Sequence, residues 1–94
     1  MTIADFQTLI RDRYFATDSV RGAAGTFVWL AEEFGELAEQ IGRHLRGDGD
    51  PDKLAAEFAD VLAWLATLAN ITGVDLTASI EAKYIAQGGP KGTK

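Results

Sequence analysis

The 94-residue sequence predicts an all-α fold, an antiparallel helical bundle of about four helices completed by oligomerisation. Three observations carry that expectation. Apolar residues recur at three- and four-residue intervals through most of the chain, and clusters of Gly, Asp and Pro divide those stretches. The β-branched residues never alternate with polar ones over a useful length, so no strand is expected. A chain this short buries little core alone, which is why association is part of the prediction.

The elements follow in order. A first helix is expected over residues 3–15, with Thr2 as N-cap and Ile3, Phe6, Leu9, Ile10 and Arg13 at helical spacing. Residues 16–25 read as a glycine-containing connection. A second helix spans 26–45, with Phe27, Leu30, Ala31, Phe34, Leu37, Ala38, Ile41 and Leu45 forming one inward stripe. Gly47-Asp48-Gly49-Asp50-Pro51 then breaks the chain, with Asp50 as N-cap and Pro51 in the first helical position. The third helix runs to about residue 71, with Leu54, Phe58, Val61, Leu62, Leu65, Leu68 and Ala69 facing inward. Gly73 ends it, and Asp75 caps a shorter fourth helix reaching residue 86. Residues 1–86 are expected to form one domain and 87–94 a mobile tail.

Composition excludes several function classes. The net charge of −5 gives no basic face for nucleic acid or an anionic membrane. The absence of cysteine excludes disulfide and thiolate chemistry. The N-terminus lacks the basic and apolar regions of a signal peptide, and the apolar run 61–71 is short for a bilayer and interrupted by Thr67 and Asn70. A cytoplasmic location is the expectation.

The chemistry lies in two phrases, Glu33-Phe34-Gly35-Glu36 and Glu57-Phe58-Ala59-Asp60. At 100° per residue, each places its acids about 100° and about 160° around from its own Phe, on the same side. Trp29 and Trp64 fall on the same two flanks, four residues before one acid pair and four after the other. On antiparallel helices with the acids abreast, both tryptophans therefore stand at one end of the cluster. No Lys or Arg lies between Arg21 and Arg43, and none from Leu54 to Ala82. Four acids with so little neutralising charge suit a hard divalent cation, Mg²⁺, for which Mn²⁺ can substitute. An aromatic wall beside such a metal suits a phosphate chain carrying a flat ring, because stacking accepts any nucleobase. Ordinary alternatives accompany each feature. Acid pairs at this spacing are common on solvated helices, Lys53 can pair with Glu57 and Arg43 with Glu39, and the tryptophans suit a core or subunit interface equally well.

Other motifs lead nowhere. Asp48 to Asp52 resembles a calcium loop, but Ala59 stands where the bidentate Glu is needed. Gly22-Ala23-Ala24-Gly25 lacks the Lys-Ser/Thr of a phosphate loop. The single histidine, His44, follows Ile41 rather than a Glu at the di-iron spacing, and no nucleophilic triad can be assembled.

At these residues the chain resembles the MazG-like all-α nucleoside triphosphate pyrophosphohydrolases, whose signature is Glu-x-x-Glu followed on a second helix by Glu-x-x-Asp. Here twenty residues separate Glu36 from Glu57. The phrases 29–39 and 60–65, and Gly73-Val74-Asp75-Leu76 leading to Lys83-Tyr84, are similar as well. The resemblance implies hydrolysis of an NTP or dNTP between the α and β phosphates, giving NMP and pyrophosphate. It implies Glu33, Glu36, Glu57 and Asp60 as Mg²⁺ ligands, with one glutamate, Glu36, a candidate for activating water. Lys83 matches a position near the phosphates, where its catalytic part would be to stabilise charge as the pyrophosphate leaves; Trp64 matches one facing the nucleotide, and Asn70 a polar contact to it. Relatives form dimers or tetramers with shared pockets, so a homodimer or homotetramer is implied. Thr67 departs from the amide that some relatives carry, which removes one nucleotide contact. The competing classes are a non-catalytic helical interaction module and a nucleotide-sensing binder that does not cleave.

Overall fold

The structure is a computed structural model that describes residues 1–92. Among these the chain forms three α-helices, α1 (Ile3–Arg46), α2 (Pro51–Thr72) and α3 (Leu76–Ile80), followed by a π-helical turn, Glu81–Ala86; no strand is present. The punctuation residues do what their chemistry predicts. Thr2 and Asp5 form a reciprocal capping box, each accepting the other's backbone N–H at 3.0 Å. Gly47 and Gly73 close α1 and α2 in left-handed conformations (φ 81 and 73). Asp50 accepts from the Asp52 N–H at 2.9 Å beside Pro51, and Asp75 accepts from the Ala78 N–H at 3.0 Å.

The expected connection over 16–25 narrows to one residue: α1 is two helical arms that meet at a kink at Gly22 (φ 79, ψ 174), and the residues on either side of that glycine are helical. Ala16, Ala23 and Ala24 favour helix, so a single glycine takes the whole change of direction. Its carbonyl accepts the Thr26 hydroxyl at 2.7 Å, and that fully buried hydroxyl accepts from Arg21 Nε at 3.1 Å. Arg21 Nη2 also donates to the buried Asp18 at 2.6 Å. A Cβ on Gly22 would meet nothing within 4 Å, so the cost of Gly22→Ala is backbone strain alone. We expect a loss of about 1–2 kcal/mol in denaturant unfolding, and an unchanged midpoint would show that the corner is not held in this conformation.

The fourth expected helix, over 76–86, divides into the five residues of α3 and the π-helical turn. Beyond it the Gly89 N–H donates to the Lys83 carbonyl at 2.9 Å, and Gly89 lies so near Tyr84 that a Cβ would come within 2.7 Å of the ring. Of the tail expected to be mobile, Thr93 and Lys94 lie outside the described residues.

Both arms of α1 run along α2. The first reaches its C-terminal half, where Asn70 Nδ2 donates to the Gln7 carbonyl at 3.2 Å; the Gln7 side chain also bridges Val74 O (2.7 Å) and Leu76 N–H (3.0 Å). The second arm covers the N-terminal half, and Ile10, Leu30, Val61, Ala66 and Ala69 form the buried apolar core. The inward stripe is corrected in part. Leu30 and Val61 are buried, but Phe34 (45%) and Phe58 (56%) stay exposed, as do Phe27, Ile41, Leu45, Leu62 and Leu65. The α1–α2 contact is turned from the centre of the stripe toward the acid flanks, because one chain supplies too few helices to cover both faces. By length and composition alone, α2, with 22 residues, is long and apolar enough to cross a bilayer.

Candidate metal centre

The Trp29 and Trp64 rings stack at 6.3 Å between centroids and 12° between planes, within the range of an aromatic pair. This stack sets the register of two antiparallel helices. Counting away from it at equal rise on both, Glu33 stands opposite Asp60, Glu36 opposite Glu57, and Gln40 opposite Lys53. The flanks therefore make a ladder: an aromatic rung, two acid rungs, then Gln40 level with Lys53.

On the acid rungs, Glu33, Glu36 and Glu57 each bring a carboxylate oxygen within 4.8 Å of the others. Glu33 Oε2 and Glu57 Oε2 are buried and have no hydrogen-bond partner. Loss of water, with the neighbouring Glu36 and Asp60 charges, pushes the Glu33 carboxyl up to about 7. The Glu57 carboxyl is raised by the same loss of water and the same two neighbours. Asp60 borders the group through its charge without belonging to the close triad. Carboxylates held so near one another without a donor are costly, and a hard cation is the chemistry that removes the cost. The donor set, all oxygen and all anionic, fits Mg²⁺ or Mn²⁺.

At the aromatic end, Arg21 lies over the Trp64 ring at 4.9 Å while holding Asp18. Beside it a cavity of about 300 Å³ is lined by Ile10, Tyr14, Asp18, Arg21, Trp64 and Thr67, among others. The expected pairing of Lys53 with Glu57 is absent, because Glu57 turns into the acid triad. Arg43 does reach Glu39, at 3.5 Å.

Two candidate residues do not join the ladder within one chain. Asn70 stands thirteen positions beyond Glu57, about 20 Å along α2, with its amide on Gln7. The turn bearing Lys83 continues α3 directly, with helical backbone at Ile80 and Glu81, and the Lys83 ammonium lies 5.6 Å from the neighbouring Tyr84 ring. Conversely, Arg21, Asp18 and Gln40 belong to the groove although sequence reading passed over them. The i, i+3 spacing of Asp18 and Arg21 was the available signal for that pair; for Gln40 it was the flank shared with Glu33.

The two-helix acid ladder is what a family comparison must account for. The family model for the MazG nucleotide pyrophosphohydrolase domain matches residues 22–86, from the kink through the π-helical turn. The chain belongs to the MazG nucleotide pyrophosphohydrolase family. The match takes in both acid phrases, both tryptophans and Lys83, whereas the first arm of α1 precedes it. A comparison with curated proteins returns no match. As a MazG domain, the chain falls among hydrolases whose substrates are nucleotides.

Proposed function

We propose that this chain is a Mg²⁺-dependent pyrophosphohydrolase that cleaves an NTP or dNTP between its α and β phosphates, releasing NMP and pyrophosphate. The observation carrying the reading is the acid triad with two buried, unpartnered carboxylate oxygens, inside a MazG domain. Glu33, Glu36, Glu57 and Asp60 would hold the metal, which would supply charge to offset the phosphates and lower the pKa of water. Glu36, the most exposed of the triad, would orient a water and take its proton as that oxygen attacks phosphorus and the α–β anhydride bond breaks, leaving NMP and pyrophosphate. The base lies at the Trp29–Trp64 end, in the cavity beside Arg21.

The functional unit is a homodimer or homotetramer in the cytoplasm. Support comes from the exposed Phe34 and Phe58 stripe and from a radius of gyration of 15.1 Å. A compact chain of this length would give about 12 Å. Association covers the stripe and allows Lys83 to approach the groove from another protomer.

Calorimetric titration with Mg²⁺ and a non-hydrolysable α,β-methylene triphosphate tests the reading. Wild type should bind, and a Glu36→Ala, Asp60→Ala double variant should bind at least tenfold more weakly, on the order of 1.4 kcal/mol. No binding by wild type, or equal binding by both proteins, points instead to a helical interaction module.

A further inference from the structure

We propose that Lys53, with Gln40 opposite it, is the subsite for the terminal phosphate of the substrate and makes the groove select triphosphates over diphosphates. This inference rests on reading the groove as a nucleotide site, and it adds the direction in which the substrate lies.

The ladder has two unlike ends. One is aromatic and the other is the Gln40–Lys53 rung, one turn past the Glu36–Glu57 rung, which lines a cavity of about 290 Å³ together with Glu39, Arg43, Asp48 and Asp50. Lys53 occupies the first turn of α2, three residues after the Asp50 cap. A cation is disfavoured there by the helix dipole, so its place is not explained by helix stability. Nor is it explained by pairing, since Lys53 forms no ion pair among the described residues. The acids around it are already engaged: Glu39 with Arg43 at 3.5 Å, Asp48 with Arg43 and Arg46 at 4.0 and 3.9 Å, and Asp50 with its own cap.

Gln40 supplies the second, independent observation. Its Oε1 is buried and has no hydrogen-bond partner. That oxygen is closed to solvent, so the Gln40 amide meets a phosphate only by turning outward, whereas the Lys53 ammonium is already exposed on the same cavity. An ammonium with an amide able to turn beside it suits phosphate oxygens. With the base at the tryptophans and the cleaved linkage at the acids, the phosphate farthest from the sugar is the group that reaches this rung. A diphosphate, shorter by one phosphate, leaves it empty.

The test measures binding of α,β-methylene nucleoside triphosphate and diphosphate, each with Mg²⁺, to wild type, Lys53→Gln and Lys53→Arg. Lys53 is exposed, and circular dichroism checks that each variant keeps its helices. Wild type should prefer the triphosphate by about tenfold, as one charge-assisted contact allows. Lys53→Gln should lose that preference, Lys53→Arg should retain it, and nucleoside monophosphate binding should not change. A triphosphate-to-diphosphate ratio unaltered by Lys53→Gln overturns the subsite. If that ratio is unaltered while wild type releases pyrophosphate, the subsite fails and the reaction stands. If Lys53 sets the ratio but no pyrophosphate is released, the subsite stands and the reaction fails. Binding of neither analogue by wild type overturns both.

Discussion

Replacing Glu36 and Glu57 with glutamine should lower pyrophosphate release by a factor on the order of 10²–10³ and raise the melting temperature of the metal-free protein. The two effects have one origin. Glu33, Glu36 and Glu57 crowd their carboxylates within 4.8 Å, and Glu57 buries an oxygen that no donor meets. Without metal this arrangement opposes folding, so removing two charges at nearly constant shape relieves it. With metal the same oxygens are the ligands, and a neutral amide is a poorer partner for a hard cation. Stability and activity moving in opposite directions is the mark of a functional site held at a cost. Thermal melts in EDTA, with initial rates in Mg²⁺, check both halves. A double variant that melts lower and retains its rate would show that the acids serve the fold instead.

The second large effect concerns pH. The Glu33 carboxyl stands near 7 in the folded chain against 4.5 when unfolded, and Glu57 is raised as well. Between these limits the folded state binds more protons than the unfolded one. The metal-free protein therefore loses stability as pH rises from about 4.5 through 7, and the contribution levels off above that. Ordinary carboxylates complete their titration near the lower edge of this window. Melting temperatures in EDTA should fall from pH 5 to pH 8, and saturating Mg²⁺ should reverse the trend, because deprotonated ligands bind metal best. Glu33→Gln should flatten the slope. A metal-free melting temperature that rises across this range would contradict the description of the triad.

Much of this was legible in the residues. Thr2, Gly47, Asp50, Pro51, Gly73 and Asp75 act locally, so their caps and breaks could be read without tertiary information. The acid flanks and the common end of the tryptophans followed from helical angle alone, and the Trp29–Trp64 stack agrees with that reading. What the pattern could not show was how the helices rotate against each other. Periodicity placed Phe34 and Phe58 at the centre of a buried stripe, yet within one chain the helices meet nearer their acid flanks. The extent of the kink was hidden for a different reason. Gly22, Ala23, Ala24 and Gly25 are compatible with either a loop or a one-residue corner; the Asp18–Arg21–Thr26 network at the corner is local, but Arg21 is also held over the Trp64 ring of α2, a contact that sequence spacing does not carry. The role of Lys83 depends on which chain faces it, which no single-chain pattern carries, and Asn70 is taken up by the Gln7 carbonyl, a contact 63 residues away in sequence.

The central claim is the bond that breaks. Incubating the protein with Mg²⁺ and a panel of NTPs and dNTPs, then resolving products by phosphorus NMR, tests it most directly. Nucleoside monophosphate and pyrophosphate should appear in equal amounts from at least one member of the panel, and EDTA should abolish both. Nucleoside diphosphate with inorganic phosphate, or no turnover of any member, would contradict it.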